Sequence, residues 1–225
     1  MTVSFRWIKN KKAEIKKFLS RCGRNKQKCN AVNSQCVKMD RKTKKLQKTI
    51  NDAYVRKYII PRATHTLVAT SGKDMYGFLV GSVKKLEDGP VFYVDLVCSA
   101  NRKGKDLLLR AEIKALSLGM RTITLRAASP KLLNVYRRRG YTREVDACKR
   151  KTREQRRKLR EMDKVASALF QGEREDWRTS GDGWWMSKCC ASKSNIKQLK
   201  QYIQSQPDKL QLSRAMNKGI QRLFH

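Results

Sequence analysis

Residues 91–141 constrain the fold more than any other stretch of the chain. Val91 to Ser99 is an apolar run of strand length, and a turn with one glycine comes after it, Asn101-Arg102-Lys103-Gly104-Lys105-Asp106. Leu107 to about Leu118 reads as an amphipathic helix and Arg121 to Arg126 as a second strand. A further helix closes on Tyr136-Arg-Arg-Arg-Gly140-Tyr141. A loop that opens into a helix presents backbone N–H groups with no intrahelical partner, and the helix dipole adds partial positive charge. A pyrophosphate binds such a place without particular side chains.

The segments around this unit read in order. Residues 65–99 form an antiparallel meander, with strands His65–Thr70, Met75–Lys85 and Val91–Ser99 separated by Ser71-Gly-Lys-Asp74 and Leu86-Glu-Asp-Gly-Pro90. Gly77 and Gly81 share a face of the middle strand, which calls for close approach of a helix or another backbone. Residues 1–20 predict a short amphipathic helix, with Ile8, Ile15, Phe18 and Leu19 on one side. Residues 39–60 predict a second basic helix, with Leu46, Ile50, Ala53 and Tyr54 as its apolar face and Pro61 as its end. Trp184 to Cys189 reads as a last strand, and 193–223 as two short helices broken at Pro207.

Charge separates the middle from the flanks. The 225 residues carry 53 Lys and Arg against 19 Asp and Glu, a net +34. Residues 1–60 hold 18 bases and 3 acids, 65–148 hold 15 and 8, and 149–225 hold 19 and 8. The excess therefore sits on attachments to an ordinary globular middle. Self-repulsion on this scale calls for a polyanionic neighbour, nucleic acid or an anionic membrane face. Within 149–170, Lys149, Arg150, Lys151, Arg153, Arg156, Arg157, Lys158 and Arg160 precede an apolar stripe of Leu159, Met162, Ala166, Leu169 and Phe170. That is the composition of a phosphate-backbone reader, and equally of a basic surface helix.

Several classes are disfavoured. No apolar run approaches a membrane span, and no secretory core is visible after the N-terminus, so an intracellular, reducing compartment (cytoplasm or nucleus) is expected, with free thiols. Cys22, Cys29 and Cys36 recur every seven residues without the tight pair a zinc site uses, and no metal is expected. Two histidines, His65 and His225, leave little for a Ser-His-Asp triad.

Taken together, strand 91–99, the glycine turn, helix 107–118, strand 121–126 and Tyr136-x-x-x-Gly140-Tyr141 resemble the GNAT superfamily of acetyl-CoA-dependent N-acyltransferases. The likeness covers about 65–148, with 184–190 as a closing strand. Leu96-Val-Cys-Ser, Lys103-Gly-Lys, Tyr-x-x-x-Gly-aromatic and Asp182-Gly-Trp-Trp-Met-Ser-Lys-Cys look, more narrowly, like the divergent GNAT-like proteins of large DNA viruses. The resemblance implies an α+β (or α/β) fold with a mixed, mostly antiparallel sheet flanked by helices. It divides the chain into a basic helical extension at 1–61, a GNAT-like domain at 62–190 with a basic insertion at about 149–178, and a helical tail at 191–225.

It also implies roles. Backbone groups of Leu96, Val97 and Cys98 would pair with the pantetheine arm of acetyl-CoA like an added strand. Arg102, Lys103, Gly104, Lys105 and Asp106 would form the phosphate loop, which in the family reads Gln/Arg-x-x-Gly-x-Gly/Ala. Gly104 keeps that pattern; Asp106 departs from it with a bulky carboxylate, where Arg102, Lys103 and Lys105 offset the charge and not the crowding. Tyr136 matches the tyrosine that protonates the departing thiolate, or is a core aromatic. Asp95, Glu87 and Asp88 are the acids placed to act as general base, and Asp95 is also readable as a structurally paired group. By strand alternation Asp95 shares a face with Tyr93 and Val97, opposite Val94 and Leu96. Cys98 reads as strand packing, against a competing scheme in which it accepts the acyl group. Two functions are open: transfer of an acetyl group to an amine, or a catalytically degenerate GNAT-fold protein that binds nucleic acid or builds a nucleoprotein particle such as a virion.

Overall fold

Alternation, not helical periodicity, governs the start of the chain. Val3, Phe5 and Trp7 pack on the core at two-residue spacing, and Ser4–Ile8 is strand β1. The amphipathic helix expected over 1–20 is thus replaced at its beginning by a strand. The computed structural model describes residues 3–8, 38–39, 46–47, 61–72, 74–86, 89–99, 103–127, 130–143, 147–148, 154, 157 and 184–224. Lys38–Met39 (β2) and Leu46–Gln47 (β3) form a two-residue antiparallel pair, so Leu46 lies on a strand and not on the expected helix. Cys22, Cys29 and Cys36 lie outside the described residues.

The meander and the unit after it form as read. β4 (His65–Ser71), β5 (Asp74–Leu86) and β6 (Gly89–Ser99) precede α1 (Gly104–Ser117), β7 (Thr122–Ala127) and α2 (Pro130–Arg137). β8 (Trp184–Cys189) leads into α3 (Lys193–Gln204) and α4 (Lys209–Phe224). The six-stranded sheet runs β1-β4-β5-β6-β7-β8, with β6 and β7 parallel and the other neighbours antiparallel. This is the mixed, mostly antiparallel sheet flanked by helices that the resemblance implies. Gly77 and Gly81 admit the backbone of β6: a Cβ at Gly81 would lie 2.8 Å from the Tyr93 carbonyl and 2.9 Å from the Phe92 ring.

One face of the sheet is the core. Leu67, Leu79, Phe92, Val94, Leu125 and Met186 point to it, and α1 and α2 cover it. α1 is buried nearly all round, from Leu107, Leu108 and Leu109 through Ala111 and Ile113 to Ala115 and Leu116. A helix buried nearly all round, with its charged Arg110 and Glu112 buried too, needs cover beyond the sheet. The sheet supplies one cover. The second is α4, whose Leu212 and Met216 join the same core as Leu199 and Ile203 of α3. α4 crosses the end of α1 so closely that a Cβ at Gly219 would overlap the Leu116 carbonyl, and only glycine fits there.

Long-range polar pairs fix this cover. Arg110 on α1, 4% exposed, donates to both carboxylate oxygens of Asp208 at 2.6 and 2.7 Å and to the Tyr202 hydroxyl at 3.1 Å. Burial, first of all, pushes the Tyr202 phenol up to about 12. Lys188 on β8 donates to Glu112 of α1 at 2.9 and 3.1 Å, and Tyr141 reaches the same carboxylate at 3.4 Å. Burial drives the Glu112 carboxyl upward, with the Lys188 ammonium opposing it. Ser192 caps α3 by accepting from the Asn195 amide at 3.2 Å.

Candidate functional site

The parallel pair β6–β7 is short. Its ladder joins Phe92–Val94 to Ile123–Leu125. Beyond Val94, β6 stays with β5, whereas Arg126 and Ala127 of β7 run with Trp185 and Trp184 of β8. The two strands part at Asp95. There the β5–β6 register slips: Val80 faces Leu96, and Gly81 faces Val94. Asp95 is the extra residue, a bulge that bends its strand and re-aims the residues after it.

The bulge corrects the alternation. Val97 packs in the core with Phe92 and Val94, so it lies on the helix-covered face. Asp95 lies on the far face, where it accepts from the Ser82 hydroxyl at 2.9 Å and sits 3.5 Å from the Lys84 ammonium. Leu96 and Cys98 are buried outside the core cluster, aligned across the sheet with Val80 and Phe78. An inserted residue moves every later side chain to the other face. Asp95 and Val97 are therefore separated, and Leu96 joins Asp95.

The far face beside Asp95 is polar and aromatic. The Lys84 ammonium sits 3.6 Å above the Tyr93 ring, whose centroid is 5.3 Å from that of Trp185, and the Arg126 guanidinium lies 4.9 Å above Trp185. Burial pushes the Asp95 carboxyl above the usual carboxylate value, and the Ser82 bond and Lys84 charge partly oppose the shift. Sequence reasoning named Asp95 and missed Ser82 and Lys84. Their signal was the two-residue spacing from Val80, which puts them on one face of the neighbouring strand.

The loop after β6 reaches α1 three residues sooner than the sequence indicates. Gly104 is buried and begins the helix, Lys103 is its N-cap, and no side chain caps it. Asp106 pairs with Lys103 at 3.7 Å, so its charge is turned to a cation of the same loop. Lys105 is exposed; Arg102 lies outside the described residues. Just before the loop, the Ser99 hydroxyl is fully buried and finds no hydrogen-bond partner among the described residues. A buried unpaired hydroxyl is costly and calls for an explanation. An orphaned hydroxyl and an uncapped helix start, next to a strand that has left its neighbour, fit a long ligand with a phosphorylated end.

Tyr136 is 1% exposed in the helix-side core, its ring centroid 5.8 Å from that of Tyr141. It and Asp95 come from opposite faces of the sheet. Cys98 is disulfide-bonded, which removes the thiolate that the covalent scheme needs. Cys148 and Cys189 are likewise joined, with Cα atoms 4.8 Å apart, against the expectation of free thiols. Cys190 is a buried free thiol pushed well up by burial. Among the described residues no cluster of three or more His, Cys, Asp or Glu forms a metal site, and no helix is long and apolar enough to cross a membrane. Of the basic candidates at 149–160, Arg157 is helical and exposed; Lys149, Arg150, Lys151, Arg153, Arg156 and Arg160 lie outside the described residues, as do Glu87 and Asp88.

A bulged strand splayed from its parallel neighbour, with a glycine-started helix after it, thus sits within a mixed six-stranded sheet flanked by helices. No family model matches the sequence, and no curated protein does. Solved structures do. GCN5 from Tetrahymena aligns with a TM-score of 0.49 and 12% identity, over 83% of this chain and 96% of its own. PaiA N-acetyltransferase from Thermoplasma acidophilum, solved in complex with coenzyme A, aligns at 0.46 and 15%, over 84% and 99%. IAA acetyltransferase from Bacillus cereus aligns at 0.44 and 15%, also over 84% and 99%.

Proposed function

We propose that this protein is an N-acyltransferase that moves an acetyl group from acetyl-CoA to an amine. The observation that carries the reading is the bulge at Asp95, where β6 leaves β7 directly ahead of the α1 N-terminus. Backbone groups of Leu96, Val97 and Cys98 would hold the pantetheine arm, and Gly104 with Lys103 and Lys105 the phosphates. The Ser99 hydroxyl would find its partner there. Acetyl-CoA supplies an activated thioester.

The chain's own groups do the rest. Asp95, ionised, takes a proton from the amine, directly or through water. Ser82 and Lys84 orient it and hold its charge. Tyr136 is the donor to the departing sulfur; a phenol with a pKa of about 10 can protonate a thiolate when held within hydrogen-bond reach. The +34 charge repels polyamines and lysine-rich tails, so the acceptor is a small neutral amine or one carried on an acidic partner.

The test is thermal. Acetyl-CoA at millimolar concentration raises the melting temperature, and Gly104→Glu abolishes that shift, read against the variant's own unliganded melting temperature. No shift in the parent protein would sink the reading. Asp106 favours the second reading, a GNAT-fold scaffold without chemistry, and the same measurement separates the two. The base is tested by pH. Asp95 must be ionised, so kcat/KM falls as pH drops through its raised pKa. Ser82→Ala removes a bond to the carboxylate and moves that limb to still higher pH. An unmoved limb assigns the base elsewhere.

A further inference from the structure

The C-terminal hairpin carries cations where helix physics disfavours them. Residues 191–224 contain seven Lys and Arg and a single acid, Asp208, which Arg110 engages. Lys193, Lys197 and Lys200 succeed one another at four and three residues on α3, and Arg214 and Lys218 at four on α4; all five are exposed. Like charges at these spacings repel. Lys193 and Lys209 open their helices, where the dipole opposes a cation, and neither helix has an acid in its first turn.

The rest of the described domain treats its buried cations differently. Arg110 meets Asp208, and Lys188 meets Glu112. Among the described residues no carboxylate pairs with Lys193, Lys197, Lys200, Arg214 or Lys218. Glutamines fill the exposed positions between them, adding donors without negative charge.

We propose that α3 and α4 form a binding surface for the sugar–phosphate backbone of a nucleic acid, contacted through Lys193, Lys197, Lys200, Arg214 and Lys218. Phosphates relieve the repulsion within each row, and glutamine amides donate to the same oxygens. A lipid surface is the poorer fit. A helix that lies in a membrane needs its apolar face for insertion, and here Leu199, Ile203, Leu212 and Met216 are buried beneath the hairpin. The exposed Leu210 and Phe224 stand at opposite ends of α4 and form no stripe. Its residues are other than those of the basic run at 149–160 and of the acetyl-transfer site, and the proposal stands whether or not that transfer occurs.

The test uses the full chain and a fluorescent DNA duplex, titrated at several salt concentrations. Each phosphate contact contributes about −0.9 to the slope of log affinity against log salt. Replacing the five residues with glutamine is expected to flatten the slope by about 4 and weaken binding at least about tenfold at moderate salt. The variant's melting temperature holds or rises, because the changes are exposed and remove repulsion. A matched replacement of Lys149, Arg150, Lys151, Arg153 and Arg156 leaves most of the hairpin's contribution in place. The proposal is overturned if the hairpin variant keeps affinity and slope, if the 149–156 variant takes the whole loss, or if the loss appears on phosphatidylserine vesicles and not on DNA.

Discussion

The two ends of α1 are finished in opposite ways. At the C-terminal end the Leu118 and Gly119 amides fold back on the carbonyls of Lys114, Ala115 and Leu116, and Arg222 donates to the Ser117 carbonyl at 2.8 Å. α4 crosses there on Gly219. At the N-terminal end, among the described residues, no side chain caps the helix and the buried Ser99 hydroxyl beside it has no partner. Orphan groups at a helix end must be met by something. Where the protein meets them itself, the end is structure; the other end is where the proposed reading puts the cofactor phosphates.

That contrast can be broken from the structural side first. Lys188→Met strands the Glu112 carboxylate in the core and should lower stability by about 3–5 kcal/mol in denaturant unfolding; adding Glu112→Leu should restore most of it. A tolerated single change would mean that the pair does not hold the cover. Gly219→Ala forces α4 off the Leu116 carbonyl and should cost about 1–3 kcal/mol, while the thermal shift with acetyl-CoA persists. Loss of that shift together with stability would show that the two ends are coupled. Arg222→Ala removes one exposed bond to a carbonyl and should cost about 1 kcal/mol.

Acid probes the same cover. The Arg110 hydrogen bonds hold the Asp208 carboxyl below the usual carboxylate range. A depressed pKa contributes stability that is present above the unfolded value and is lost as pH falls through the folded one. Asp208→Asn should therefore lower the melting temperature at neutral pH, with the two curves converging in acid. Parallel curves would remove Asp208 from the balance.

From β4 onward the sheet was legible because its strands carry their own evidence: the turn residues Ser71-Gly72 and Asp88-Gly89-Pro90 on either side of β5, the apolar run Val91–Ser99, and Trp184–Cys189 as a compact run. The bulge was not. Val94-Asp95-Leu96-Val97 reads as a regular strand, and nothing local shows that Asp95 is extra; the slip is decided by pairing with β5. β1 was misread because Ile8 also fits a helical stripe with Ile15 and Phe18, and the competing alternation of Val3, Phe5 and Trp7 is only three residues long. Of the site, Asp95 and Gly104 were visible as residue types in place. Ser82 and Lys84 became visible only with the register. The docking of α3 and α4 on α1 rests on Arg110 and Asp208, 98 residues apart, a distance over which periodicity says nothing.

The crossing at Gly219 also sets a schedule for synthesis. Leu116 and the rest of α1 leave the ribosome well before their outer cover exists, since Met216 is made 100 residues later. At about 5–20 residues per second that interval is about 5–20 s. Throughout it, a helix that is buried nearly all round in the finished fold has only the sheet to cover it. The nascent chain is most prone to association in this interval, and its last two helices end it.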